Sequence, residues 1–288
     1  MFRWLDRFVA EQTWLDRIGD PLQQELNKLL SGTVGKPTEN ILNGTWLGHP
    51  LHPVLSDVPV GSWTATAVLD ALGVARDDDS LEDAADITLA LGLAAGLVTA
   101  ITGVTQWNDT YGKDRKVGLL HGLMMLATVG TYAGALAARR TGARPLGIAL
   151  SNTGYLLLAA GSYLGGDEAY DLGYGVNHTA WISGPTDYVQ VMRESDLELD
   201  KLTKGDAQGT AILLVKRANG IFALDDTCTH AGCSLSGGTL EEMSVICPCH
   251  GSQFSLLDGE IINGPATYRE PSYHVRIRDG MVEVKRAE

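Results

Sequence analysis

All four cysteines of this 288-residue chain lie in two short boxes in its C-terminal third, Cys228-Thr229-His230-Ala231-Gly232-Cys233 and Cys247-Pro248-Cys249-His250-Gly251-Ser252. Each box also carries one histidine, so the fold must bring two loops together if thiolates and imidazoles are to share a metal centre. A tetrahedral zinc site uses the same residue types, but its usual spacing pairs like with like, two Cys and then two His. Here each box mixes them, Cys-x-His and then Cys-x-x-His. Mixing suits a two-iron centre in which two thiolates hold one iron and two imidazoles the other, because each loop then gives one ligand to each metal. The donor set reads as such a centre ahead of zinc or of unliganded Cys-rich turns.

The residues around the boxes predict β-structure. Ala211–Val215 and Ile221–Leu224 flank Asn219-Gly220, and His274–Ile277 and Met281–Val284 flank Asp279-Gly280. Short apolar runs on either side of a Gly-containing pair are hairpin signals. A small antiparallel sandwich follows, with the Cys/His loops projecting from one end.

The N-terminal part has a different character. Ile87–Trp107, Val117–Ala138 and Pro145–Gly166 are uncharged and each exceeds twenty residues, and a fourth stretch, Val58–Ala75, is interrupted only by Asp70. About 20 such residues as helix cross a ~30 Å hydrocarbon core. Successive runs of this length disfavour a soluble bundle and predict a four-helix transmembrane bundle. Gly92-xxx-Gly96, Gly118-xxx-Gly122, Gly130-xxx-Gly134 and Gly161-xxx-Gly165 fit close helix packing in lipid. The first forty residues lack an apolar h-region and read as no cleavable signal peptide. They read instead as an amphipathic interfacial helix with Trp4, Leu5, Phe8 and Val9 on one side. The expected fold is multidomain: an amphipathic segment over 1–41, an all-α four-helix membrane domain over 42–166, a Gly- and Tyr-rich linker over 167–186 with hinge points at Gly173 and Gly184, and an all-β domain over 187–288.

A net charge of −13 speaks against nucleic acid as a partner. Part of it is an acidic, solvated loop, Asp77-Asp78-Asp79 with Glu82-Asp83. Five basic residues flank the predicted spans on one face and four, Arg76, Arg139, Arg140 and Arg144, on the other, a balance that assigns no side. His49, His52, His121 and His178 lie in the membrane half, and ionisable groups at membrane depth are functional candidates by default. His49, His52, His121 and Asp57 are candidates for a membrane redox site, either haem b with two axial imidazoles or a quinone pocket. The plainer reading is hydrogen bonding between helix ends, with His49 or His52 capping or pairing with Asp57.

Residues from about Asp187 to Arg286 resemble a Rieske domain of the kind that keeps a disulfide between its loops, as in quinol-oxidising cytochrome bc complexes. The resemblance implies a 2Fe–2S cluster with Cys228 and Cys247 as thiolate ligands, His230 and His250 on the outer iron, and a Cys233–Cys249 bridge. It also implies that Gly264-Pro265-Ala266 is the proline loop covering the cluster, and that the Ser252 hydroxyl hydrogen-bonds a cluster sulfide. Two positions depart from that pattern. Phe254 stands where the quinol-oxidising members usually have Tyr, and fewer hydrogen bonds to sulfur mean a lower potential. Ala231 stands where they usually carry Leu.

Gly48-His49-Pro50-Leu51-His52-Pro53, Asp57-Val-Pro-Val-Gly61, Gly165-Gly166 and Gly175-Val-Asn-His178 resemble a family of bacterial four-helix membrane domains of unknown function, over roughly Leu42 to His178. Its fusion to a Rieske domain is similar to an actinobacterial arrangement. Together the resemblances imply a multi-pass protein of the bacterial cell membrane whose partners are the bilayer and a redox protein or quinone. The expected function is one-electron transfer with a quinol or a membrane redox partner. The alternative is a redox-sensing or ferredoxin-like component serving a separate oxygenase or reductase. No catalytic residue is assigned: a self-contained oxygenase needs a mononuclear iron held by two His and a carboxylate, and no such set stands out. A Cys233–Cys249 disulfide would favour the extracytoplasmic face.

Overall fold

A computed structural model describes residues 8, 9 and 11–287, so Trp4 and Leu5 of the expected interfacial helix lie outside the described residues. Its other two members do not share a side: Val9 is buried with Leu15 and Trp107, whereas Phe8 is exposed. One helical step turns adjacent side chains by about 100°. The chain forms two compact units, one made of Met1–Gly35 and Leu51–Tyr174, the other of Lys36–Pro50 and Gly175–Glu288.

The first unit is helical. After α1 (Thr13–Lys28) and a π-helical stretch (Leu29–Val34), the chain enters α2 (Gly35–Asn43), most of which belongs to the second unit. Four long helices follow: α3 (Leu51–Arg76), α4 (Asp79–Trp107), α5 (Gly112–Arg140) and α6 (Arg144–Tyr170). The acidic loop between α3 and α4 is also a cap. The Asp78 carboxylate accepts the Ser80 N–H at 3.0 Å, and Asp79 and Glu82 complement the positive end of the helix. Pro145 opens α6, where a missing N–H costs nothing. The helices α3, α4 and α5 are long and apolar enough to cross a membrane. In α6, Ser151, Asn152, Thr153 and Ser162 dilute the apolar character of the fourth expected span.

α3 packs chiefly on α4, and α5 on α6. Trp63 of α3 stacks on Tyr132 of α5 with ring centres 4.3 Å apart. The stack fits because Gly92 has no side chain: a Cβ there would lie 2.4 Å from the Trp63 indole. Gly96 also faces Trp63, while Gly161 and Gly165 face Met125 and His121. These two patterns are therefore contact faces. Gly122 and Gly130 meet open space, so of the other two patterns only Gly118 is a close approach, with a Cβ 2.6 Å from Trp107 and from Glu168, while Gly134 makes ordinary contact with Leu150. Asp70, expected as a polar residue within the first span, is paired with Arg139, whose Nη1 donates to it at 2.9 Å and to Asp86 at 2.7 Å. Arg139 thus counts among the core's polar groups rather than among the flanking cations, a burial that a charge tally along the sequence does not register.

The second unit is built on ten strands: β1 (Val189–Arg193), β2 (Leu202–Ala207), β3 (Thr210–Arg217), β4 (Gly220–Asp225), β5 (Thr239–Glu241), β6 (Ser244–Ile246), β7 (Gln253–Ser255), β8 (Ile261–Asn263), β9 (Ser272–Arg278) and β10 (Met281–Arg286). They form a six-stranded sheet, β1-β10-β9-β4-β3-β2, and a four-stranded sheet, β5-β6-β7-β8. The β9–β10 hairpin turns at Asp279 and Gly280, both with positive φ, as the sequence predicts. The β3–β4 hairpin pairs Arg217 with Gly220, so its turn is Ala218-Asn219, one residue earlier than expected. Burial sets that register. Ile212 to Val215 are fully buried because β3 has a core on each face: Leu213 and Val215 join one apolar cluster, Ile212 and Leu214 the other. The first cluster also contains Cys228 and Cys247.

Two segments outside the strands complete this unit. Residues 36–50 attach through Asn40, which bonds to Asn263 and Gly264. The stretch from Gly175, the second half of the expected linker, is also built in. Gly184, one of the expected hinge points, has φ +64° and approaches Tyr273 so closely that a Cβ would lie 2.8 Å from its hydroxyl.

Candidate metal centre

The two boxes follow β4 and β6, and they close on themselves in the same way. In the first, the Cys228 N–H donates to Cys233 O at 2.8 Å and the Gly232 N–H to Cys228 O at 2.8 Å. In the second, the Cys247 N–H donates to Ser252 O at 2.8 Å and the Gly251 N–H to Cys247 O at 3.1 Å. Gly232 and Gly251 have φ of 74° and 76°, a conformation other residues adopt only with strain. Each box is thus one tight turn, closed by a glycine four residues after its buried cysteine.

The turns converge. Cys233 and Cys249 form a disulfide. Their sulfurs and that of Cys247 lie within 4.8 Å of one another. Cys228 and Cys247 remain as thiols, both buried. They share a hydrogen bond that, with burial, pushes the Cys228 thiol up. That bond, reinforced by the backbone N–H groups of Cys249 and His250, holds the Cys247 thiol below its ordinary value. The rings of His230 and His250 meet edge to face with centres 4.8 Å apart, and both Nδ1 atoms are shielded from solvent. Burial first, then the neighbouring His250 and His178, lowers His230 to about 3. Burial also lowers His250. Both imidazoles are therefore neutral at pH 7, the form that binds metal. Two thiols on one side and two neutral imidazoles on the other are a donor set that fits a 2Fe–2S cluster.

The Gly264-Pro265-Ala266 loop is bonded to the second box. Ala266 is buried in the same cluster as Cys228 and Cys247, and its N–H donates to Ser252 Oγ at 3.0 Å. Because that oxygen accepts from Ala266, its own proton is left to donate. Pro265 follows Gly264 in a cis peptide. Phe254 is fully buried in the cluster with both thiols and has no hydroxyl to offer them, while Ala231 lies exposed at the first turn.

Family comparison decides what the turns hold. Residues 187–274 match the model of the Rieske 2Fe–2S domain. The cytochrome b6-f complex iron-sulfur subunit of Prochlorococcus marinus (strain MIT 9215) is 35% identical over 137 residues, covering 46% of this chain and 68% of that protein. The chain belongs to the Rieske 2Fe–2S family. Ferredoxin CarAc of Metapseudomonas resinovorans is 34% identical over 34% of this chain and 92% of its own length. Among solved structures, the ferredoxin of carbazole 1,9a-dioxygenase from Nocardioides aromaticivorans IC177 aligns over 34% of this chain and 96% of its own, with a TM-score of 0.33 and 22% identity. Residues 48–178 match a second family, described as a predicted membrane protein (DUF2231). The chain is thus a Rieske electron carrier joined to a membrane domain with apolar helices.

Three residues of the Rieske site were not legible as such. His178, read in the sequence as a membrane-half histidine, belongs to the β unit: its N–H donates to Thr229 O at 3.0 Å and its ring lies over Gly232. Glu270 is fully buried behind the first box and accepts the Thr229 N–H at 2.5 Å. Burial pushes its carboxyl well above the ordinary carboxylate range. Asn40 holds the proline loop from outside the β-strands. Each acts across a long sequence separation, and no local pattern marks it.

The membrane candidates separate. His52 of α3 and His121 of α5 are neighbours, with ring centres 6.3 Å apart. His49 is exposed in the other unit, and Asp57 is exposed on α3.

Proposed function

We propose that this Rieske protein is a multi-pass, membrane-anchored one-electron carrier that exchanges electrons with a quinol or a membrane redox protein. The observation that carries the reading is the convergence of Cys228, Cys247, His230 and His250 beside the Cys233–Cys249 disulfide. When bound there, the cluster supplies a one-electron couple. The chain's part is to hold and insulate it. Cys228 and Cys247 hold one iron, and His230 and His250 the other. Phe254 and Leu235 exclude water from behind. Ser252 keeps a proton to donate toward a sulfide. The disulfide supports placement of this unit in an oxidising, extracytoplasmic compartment. In the helical unit, α6 serves as the fourth span, and the reading includes a quinone or haem b site there.

A second reading, a ferredoxin-like component serving a separate oxygenase or reductase, draws on CarAc, a ferredoxin by name. Phe254 and Ala231, which remove a hydroxyl and leave the first turn bare, favour it. A redox titration of the cluster by EPR on the full-length protein in membranes, paired with a quinol oxidation assay, separates the two. A potential high enough to accept electrons from quinol, with quinol-dependent reduction, supports the carrier in a quinol chain. A low potential with no quinol reaction supports the ferredoxin-like role.

A further inference from the structure

His52 and His121 occupy equivalent places in two equivalent helix pairs. In the pair α3/α4, His52 Nδ1 lies 2.9 Å from Thr99 O, and its ring fills the space beside Gly103, where a Cβ would be 2.8 Å away. In the pair α5/α6, His121 Nδ1 lies 2.8 Å from Gly161 O, and its ring fills the space beside Gly165, where a Cβ would be 3.2 Å away. In each case the first helix gives the imidazole. The second gives a carbonyl and, one turn later on the same face, a glycine that makes room for the ring.

The hydrogen bonds fix the protons. A carbonyl oxygen only accepts, so each Nδ1 carries the hydrogen and each Nε2 keeps a bare lone pair. Neither Nε2 has a hydrogen-bond partner among the described residues. Two acceptors cannot satisfy each other. A histidine whose second nitrogen donates to a main-chain carbonyl is oriented as metal-binding histidines usually are.

The spacing distinguishes geometries. A metal–imidazole bond of about 2.0–2.1 Å puts a metal about 3.2 Å from the ring centre, so two imidazoles opposite each other across one metal have centres about 6.4 Å apart, and at a tetrahedral angle about 5 Å. The pair His230/His250, which on the proposed reading would share one iron on adjacent corners, has its centres 4.8 Å apart. The membrane pair has them 6.3 Å apart, with ring planes at 88°. The first distance matches neighbouring ligands of one metal and the second matches opposed ones.

We propose that His52 and His121 are the two opposed imidazole ligands, each through Nε2, of one redox metal in the helical unit: haem iron or a single copper ion. The proposal rests on the reading of this chain as a membrane electron carrier and narrows its membrane site from four candidates to two.

The test uses the full-length protein purified in detergent, assayed for haem by its Soret band and pyridine haemochrome and for copper by metal analysis, before and after incubation with haemin or Cu(I). Stoichiometric binding of one of them is expected. His52→Ala and His121→Ala should each lower affinity by more than about tenfold, the loss that even an outer partner of a metal ligand can produce. His49→Ala should leave it unchanged. His121→Met offers a thioether in place of the imidazole and should keep the metal with a shifted spectrum, which separates lost ligation from lost folding. The EPR signal of the Rieske cluster is read on every sample. Intact Rieske signal with neither haem nor copper bound in the wild type, or equal binding in His52→Ala and His121→Ala, overturns the proposal and leaves the carrier reading standing. Loss of the Rieske signal from wild-type protein would count against the carrier reading instead.

Discussion

The side chain of Asn40 accepts the N–H of Gly264 at 2.9 Å, a bond that joins a residue ahead of the membrane domain to the proline loop of the Rieske site. Its amide also donates to Asn263 Oδ1 at 3.1 Å, and Asn263 donates in turn to Gln253 Oε1 at 2.7 Å. The methyl group of Thr45 packs against Gly264, 2.9 Å from where a Cβ would stand. Two residues along, Ala266 donates to Ser252, and the Cys247 N–H donates to the Ser252 carbonyl. A chain of contacts therefore runs from Asn40 to Cys247, a proposed cluster ligand.

Replacing Asn40 by Ala strands the Gly264 N–H, and an unsatisfied buried donor costs about 1–3 kcal/mol. Hydrogen exchange at Gly264 should speed up by about tenfold or more in Asn40→Ala, since 1.4 kcal/mol is a factor of ten. Asn40→Asp keeps the acceptor and should retain most of the protection. Equal exchange in wild type and Asn40→Ala would show that the loop holds itself.

The Cys233–Cys249 bridge ties the two turns across a sequence separation of 16. By the chain-entropy estimate, closing a loop of that size is worth about 3 kcal/mol. The double variant Cys233→Ser/Cys249→Ser should lose its cluster absorbance at lower denaturant concentration than the wild type. Coincident unfolding curves would mean that the hydrogen bonds within each turn already suffice.

Phe254 is fully buried beside both thiols. Phe254→Tyr puts a hydroxyl within reach of a ligand sulfur and favours the reduced cluster. The midpoint potential should rise by on the order of 50 mV, since a one-electron couple moves 59 mV per tenfold change and one hydrogen bond is worth about 1 kcal/mol. Ser252→Ala should shift it the other way. Redox titration followed by EPR reads both, and an unmoved potential in Phe254→Tyr would show that the new hydroxyl bonds elsewhere.

Glu270 gives a pH dependence of fixed sign. Its folded-state pKa is raised by burial, so the fold favours the neutral carboxyl. Its contribution to stability is fully present below the unfolded value near 4.5 and is lost as pH rises toward the folded pKa. Glu270→Gln, neutral at every pH, should flatten the fall in melting temperature between pH 5 and pH 8. Each unit of pKa difference corresponds to about 1.4 kcal/mol. Parallel melting profiles for the two proteins would place the pH dependence on other groups.

What could be read from the sequence divides by range. Both boxes were legible because each is one contiguous turn whose ligands, glycine and closing residue fall within six positions. The β9–β10 hairpin was legible for the same reason, since Asp279-Gly280 dictates its own turn. The β3–β4 turn was misplaced by one residue because burial of Ile212 to Val215 between two cores, and not the Asn-Gly pair, fixes the ladder. Arg139, Glu270 and Asn40 were silent because each draws its role from a partner far along the chain. His52 and His121 were visible as candidates, but only the fold pairs them, with His49 in the other unit and Asp57 exposed.

The assignment of residues 36–50 to the β unit carries a consequence for how the protein is made. Those residues leave the ribosome before the first long helix, yet the strands and loops they complete follow the whole helical unit in the chain. The β unit therefore cannot be finished before the helical unit has been made; its earliest piece must wait through that whole stretch for its partner. A fragment beginning at residue 187 would keep both Cys/His boxes but lose Asn40, the acceptor of the Gly264 N–H. The helical stretch Leu51–Tyr174 thus interrupts the chain of the β unit between Pro50 and Gly175.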